Sequence, residues 1–268
     1  MKKILALLLA LSMALGLAAC SGQDGKESDN SGDSDQAYIQ EKGTLVVGIT
    51  EFEPMDYTDA DGNWIGFDAD MARAFAESLG VEAQFQVIAD WDSKVMELEG
   101  KTVDVVWNGM TLTEDVLTAM ECSNPYFSNG QVVIVPADKA GDYQTEESLA
   151  DLQFAVENGS AGQEELDRLG YSYTPVQDQA TALMEVAAGT SDAAVVDYLM
   201  AAAMTGEGTS YEDLAYTVQL NSEEYGVGFR KGSDLAAELN QFFQEQYASG
   251  EMQKIADKYN IADKLIEQ

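Results

Sequence analysis

From Thr44 onward, short apolar runs rich in β-branched side chains alternate with stretches whose large apolar residues recur every four positions. That alternation constrains the fold more than any other feature of the chain. Thr44–Ile49 reads as a buried strand ended by acidic and proline positions. Phe67, Met71, Phe75 and Leu79 form the stripe of an amphipathic helix, and Gly80 is placed to stop it. Val81, Ala83, Phe85 and Val87 alternate as a second strand, residues 92–98 suit a short helix, and residues 103–107 suit a third strand. Strands buried on both faces need crossover helices to cover them, so the rhythm predicts an α/β architecture around a parallel sheet. It returns in the second half, with strands over 154–156 and 193–196 and helices over 162–169 and Gln179–Ala188, which predicts a second α/β lobe. A further strand over 225–229 and helices over 235–248 and 251–259 close the chain.

The amino-terminal end follows other rules. Residues 1–19 read as a signal peptide: Met1-Lys2-Lys3 is a basic head, and 4–15 is an apolar core too short to span a bilayer. Leu17-Ala18-Ala19-Cys20 resembles the bacterial lipoprotein processing box, in which the cysteine is lipidated and starts the mature protein. Residues 21–36 contain no aliphatic or aromatic side chain, so 20–36 is expected to be a flexible tether that cannot bury anything. It would hold the globule, expected to begin near Ala37, about 20 to 25 Å from the membrane.

Composition removes whole classes of chemistry. The chain has no histidine, which excludes imidazole-based acid–base catalysis, Ser/His or Cys/His nucleophiles and imidazole zinc sites. Two cysteines, Cys20 and Cys122, are too few for a thiolate cluster, so neither a metal nor another cofactor is expected. With 48 acidic against 14 basic residues the net charge is −34, which makes nucleic acid an improbable partner. Asp59, Asp61 and Asn63 alternate like the opening of a calcium loop, but Trp64 stands where the loop glycine belongs, and Asp61-Gly62 reads better as a hairpin turn. Gly159-Ser160-Ala161-Gly162, between a strand and a helix, serves equally as a plain turn or as an anion cradle of backbone amides.

At Gly66-Phe67-Asp68-Ala69-Asp70-Met71 the chain resembles the family 3 extracellular solute-binding proteins, receptors of polar amino-acid ABC importers. Segments at Trp91-Asp92, 108–114, Ser123-Asn124-Pro125-Tyr126, Gly159-Ser160, 192–197 and Tyr225-Gly226-Val227 agree in order and spacing over about residues 43–260. The resemblance implies a two-lobe type II periplasmic-binding-protein-like fold joined by two hinge strands. Lobe 1 would comprise 37–134 plus 224–268, and lobe 2 would comprise 135–223. By the same resemblance Phe52 and Trp91 sandwich the ligand, Asn108, Gly109, Met110 and Thr111 form the loop that receives its α-ammonium and α-carboxylate, and Asp197 pairs with the ammonium. Asp197 as a bare helix cap is the competing reading.

The chain departs from the family where an arginine usually clamps the ligand carboxylate five residues after Thr111, because Val116 stands there. Loss of one partner of a buried charge pair costs about 2 to 5 kcal/mol. Either the amides of Ser160, Ala161 and Gly162 with the Thr111 hydroxyl compensate, or the ligand lacks a carboxylate or is more cationic, which Glu51 would favour. Cys122, where phenylalanine is usual, is expected to be a buried free thiol. The implied function is a monomeric, non-enzymatic, lipid-anchored extracytoplasmic receptor that passes an amino acid or related amine to an ABC permease in the membrane. The alternatives are an enzyme of dehydratase or lyase type on the same scaffold and a sensor module acting through a separate partner.

Overall fold

The computed structural model describes residues 34–268. The expected signal peptide, Cys20 and the tether up to residue 33 lie outside the described residues. The fold starts earlier than the sequence suggests: Ser34 accepts a hydrogen bond from the Ala37 amide at 3.0 Å and opens helix α1 (Asp35–Lys42). Residues 35 and 36, expected in the tether, are therefore helical. The reason is long-range, because Arg230 grips the buried Asp35 carboxylate with Nη2 at 2.8 Å and Nε at 3.1 Å from each oxygen.

After α1 come β1 (Thr44–Ile49) and the hairpin of β2 (Tyr57–Thr58) and β3 (Trp64–Ile65). In its turn, Asp59 Oδ1 accepts from the amides of Asp61 and Asn63, each at 2.9 Å, so the alternating acids organise a turn. The first lobe continues with α2 (Phe67–Ser78), β4 (Glu82–Val87), α3 (Lys94–Glu99), β5 (Val105–Thr111), α4 (Glu114–Ala119), β6 (Glu121–Cys122) and β7 (Phe127–Asn129). The second lobe contains β8 (Gln131–Pro136), β9 (Phe154–Glu157), α5 (Ala161–Leu169), β10 (Tyr173–Val176), α6 (Gln179–Ala188), β11 (Ala193–Asp197), α7 (Tyr198–Met204) and β12 (Leu214–Gln219). β13 (Glu223–Phe229) returns to the first lobe, where α8 (Leu235–Ser249) and α9 (Glu251–Lys258) finish the helical layer.

The two sheets share one plan. The first has the order β4-β1-β5-β13-β6, and β7 also pairs with β13; the second has the order β10-β9-β11-β8-β12. In each, three parallel strands meet an antiparallel one, β13 against β5 and β8 against β11. Those antiparallel strands are the ones that enter their sheet from the other lobe, so the two crossings lie at Asn129–Gln131 and between β12 and β13. Residues 131–134, expected in lobe 1, belong to lobe 2: Val132 and Val133 pair with Val196 and Val195.

Helix α2 explains the stripe seen in the sequence. Phe67, Met71 and Phe75 are buried, and Phe75 lies edge-on to Trp107 at 6.2 Å and against Phe242 at 5.4 Å. Each such ring contributes about 1.5 to 3 kcal/mol through area removed from water. The helix can start where it does only because residue 66 has no side chain: Gly66 has φ 124°, and a Cβ there would sit 2.1 Å from the Met55 carbonyl oxygen. Gly66→Ala is expected to lower stability by about 3 kcal/mol in urea denaturation. Gly80→Ala, at φ 76° with nothing within 4 Å of the added Cβ, is expected to lower it by only about 1 kcal/mol.

Candidate functional site

The lobes enclose a cavity of about 340 Å³. Phe52, Trp91, Met110 and Thr111 line it from the first lobe; Ser160, Ala161 and Asp197 line it from the second. Asn108 and Gly109 also reach it, whereas Glu51 and Gly162 do not.

The first-lobe wall is built around a buried carboxylate in the first turn of α2. Asp68 is fully buried and accepts from the Gly109 amide at 2.6 Å and from the Tyr126 hydroxyl at 2.9 and 2.8 Å. Burial pushes its pKa up to about 7 against these stabilising bonds. Beside it, Asn108 Oδ1 accepts from the Thr50 amide at 2.9 Å and hydroxyl at 2.7 Å, while Nδ2 donates to the Thr50 carbonyl at 3.1 Å and Asp56 Oδ2 at 2.8 Å. The Asn108 side chain and the Gly109 amide thus bond within the protein and fix the loop, while both residues stay in the cavity wall. Gly109 serves by lacking a side chain, since a Cβ at its φ of 54° would come within 2.3 Å of Phe52 Cε1. The Phe52 ring closes over that loop and lies edge-on to Tyr225 at 6.2 Å.

Three further residues of the expected site also bond or pack within the protein. The Thr111 hydroxyl donates to Glu223 at 2.8 Å. Glu51 accepts from the Thr58 amide at 3.1 Å and so braces β2. Gly162 fits α5 against the sheet, because a Cβ there would lie 2.9 Å from both Gln131 Oε1 and Val195 Cγ1. Cys122 is a free thiol as expected, but only half-buried.

The second-lobe wall centres on Asp197 at the carboxyl end of β11. It is 3% exposed, and although it occupies the N-cap position of α7, its side chain makes no capping bond. Its Oδ1 accepts from the Gln131 side-chain amide, its Oδ2 from the Tyr225 hydroxyl at 2.5 Å, and its own amide donates to Gln179 Oε1 at 2.8 Å. Gln131 also donates to Glu223 Oε1 at 2.8 Å, which further accepts from Asn129 at 2.7 Å. Burial, then the nearby Glu223 charge, pushes the Asp197 pKa up to about 7.

The lobes touch across the mouth. Asn158 donates to Asp90 at 3.0 Å, and Lys94 donates to the Gly159 carbonyl at 3.0 Å and the Trp91 carbonyl at 3.3 Å. Contact is close enough that a Cβ on Gly159 would fall 2.6 Å from Asp92 Cα. Among the described residues lining the cavity Lys94 is the one base, and Val116, which stands where the family arginine is absent, lines the same cavity. Lys94, Glu157 and Gln179 escaped the sequence reading. For Glu157 a signal existed: like Asp197, it directly follows an apolar strand, and ligand sites gather at carboxyl edges of such sheets. Among the described residues no group of three or more acids or cysteines is placed to hold a metal ion, and no helix is long and apolar enough to cross a membrane.

Asp197 yields a prediction about stability. Its carboxyl binds a proton more tightly when folded (about 7) than at the ordinary value of 3.8, so this group's contribution falls as pH rises from about 4 to 7. Asp197→Asn is expected to leave the unliganded protein equal to wild type near pH 4 and more stable by on the order of 2 kcal/mol at pH 8, measured by denaturant titration.

Comparisons agree with this architecture. The model of the bacterial extracellular solute-binding proteins, family 3, matches residues 45–262. The L-cystine-binding protein TcyJ of Escherichia coli strain K12 is 30% identical over 230 residues, spanning 84% of this chain and 85% of that protein. The arginine-binding extracellular protein ArtP of Bacillus subtilis strain 168 is 29% identical over 274 residues, spanning 98% and 100%. A crystal structure of a mutant of ArgBP from T. maritima superposes with a TM-score of 0.79 at 32% identity, covering 84% of this chain and 99% of that one.

Proposed function

Because the chain belongs to the family 3 bacterial extracellular solute-binding proteins, we propose that it is an ABC-importer receptor that closes its lobes on a polar or cationic amino acid and hands it to the permease. The observation that carries the reading is Asp197, a buried carboxylate in the wall of an interlobe cavity flanked by two aromatic rings. The α-ammonium of the solute sits on Asp197, and Phe52 and Trp91 lie on either side of it, each cation–ring contact contributing about 0.5 to 2 kcal/mol. The carboxylate goes to the Lys94 ammonium and to the start of α5 at Ser160 and Ala161, where the Ala161 amide and the helix dipole favour an anion. Lys94 thereby takes the task of the missing arginine with a compact ammonium in place of a bidentate fork.

Closure is the working step. The bonds from Lys94 to Gly159 and from Asn158 to Asp90 join the lobes and belong to the closed form. A solute touching both walls shifts the protein toward that form by its differential affinity for the two states, and the permease reads the difference. Micromolar capture corresponds to about −8 kcal/mol, within reach of two ring contacts, two charge pairs and several hydrogen bonds. Cys20, lipidated after removal of residues 1–19, ties the receptor to the outer face of the cell membrane.

The test is a thermal-shift panel of the common amino acids followed by calorimetry on the best binder. Wild type is expected to rise in melting temperature with at least one amino acid, Asp197→Asn to show no rise, and Trp91→Ala to bind at least tenfold more weakly. A wild-type protein that responds to no amino acid overturns the reading.

A further inference from the structure

Glu157 has no task in the mechanism above. It ends β9 at the carboxyl edge of the second sheet, one strand away from Asp197, lines the cavity and is 3% exposed. Its Oε1 has no hydrogen-bond partner among the described residues. Lys94, the base nearest to it, directs its bonds to the carbonyls of Trp91 and Gly159. Burial holds its carboxyl well above the ordinary range; Asp197 and Asp178 push the same way, while Lys94 and Gln179 pull it down.

Other buried acids give the contrast. Asp68, unlike Asp197, does not line the cavity, and both its oxygens are bonded. Asp56 and Asp104 also carry one oxygen each without a hydrogen bond, but neither lines the cavity; the other oxygen of Asp56 is held by Asn108, and Asp104 is held by Lys42, the Val46 amide and, at 3.7 Å, Arg230. These acids work within the fold. Glu157 instead belongs to the cavity wall and keeps an unsatisfied acceptor buried there, and a buried acceptor left unpaired is unfavourable until something donates to it.

Resting on the reading that Asp197 takes the α-ammonium, we propose that Glu157 is a second cation subsite of the same cleft. Its free oxygen receives the ammonium or guanidinium of the ligand's side chain, so the solute is a basic amino acid. The charges then match one to one: α-ammonium with Asp197, side-chain cation with Glu157, carboxylate with Lys94. The surroundings favour the same sign, since Asp92, Asp115, Glu164 and Asp167 also line the cavity. A neutral side chain would leave Glu157 buried and unpaired, and sites built around such a partner reject analogues that lack it.

Isothermal titration at pH 7.5 with arginine, lysine and ornithine, against citrulline and glutamine as neutral counterparts, tests the assignment on wild type, Glu157→Gln and Glu157→Met. Wild type is expected to bind its preferred basic amino acid at least about thirtyfold more tightly than citrulline. Both variants are expected to melt no lower than wild type and to bring that ratio below about threefold while still binding citrulline. Wild type that prefers citrulline or glutamine overturns the inference and leaves amino-acid capture standing. Variants that keep the wild-type ratio, or that lose citrulline along with arginine, also overturn it. Absence of binding by every amino acid removes both readings together.

Discussion

The grip on Asp197 by Gln131 and Tyr225 is the interaction on which the two-lobed structure turns. One partner stands at the start of β8 and the other early in β13, the strands that follow the two crossings between lobes. Glu223 ties the same region together by accepting from Thr111, Asn129 and Gln131. A carboxylate in the cavity wall is therefore bonded to both connections around which the lobes must bend. Networks of this kind are strong when complete and sensitive when one member changes its charge, so whatever alters the electrostatics at Asp197 is felt at the hinge.

The opposite wall obeys a different logic. Asp68 is held so tightly by Gly109 and Tyr126 that it fixes the cavity loop instead of facing the solute, and Asn108 is locked to Thr50 and Asp56 in the same way. The segment from Gly66 to Asp68 is thus a structural device: a residue without a side chain lets α2 begin against Met55, and two residues later a carboxylate pins the loop that carries Phe52's neighbour. First-lobe polar groups bonded within the protein and a second-lobe acid in the cavity wall divide shape from charge between the two halves.

Much of the fold was legible from period alone. Buried parallel strands such as β1, β9 and β11 announce themselves as apolar runs, and α2 shows its core stripe directly. The membership of β8 was not legible, because pairing of Val133 with Val195 is a long-range fact that no local pattern records. The start of α1 was missed for the same reason, since the partner of Asp35 is Arg230. At the site, Phe52, Trp91, Asn108, Gly109 and Asp197 were placed in the cavity wall by family resemblance, whereas the bonds of the Asn108 side chain and the Gly109 amide within the protein were not legible. Their hydrogen bonds go to residues distant in sequence, and only geometry reveals that. Glu157 carried the same local mark as Asp197, an acid closing an apolar strand, and the shared position deserved the same reading.

Gly159 carries a last consequence. The backbone of the second lobe comes so near Asp92 that a hydrogen atom, where any other residue has carbon, sets how far the jaws can bite. Bite depth and recognition therefore meet at one residue, since the Gly159 carbonyl also holds Lys94. A descendant of this chain that adds a doorstop at this position retunes how readily it lets go of its cargo and shifts the ammonium that helps to hold it.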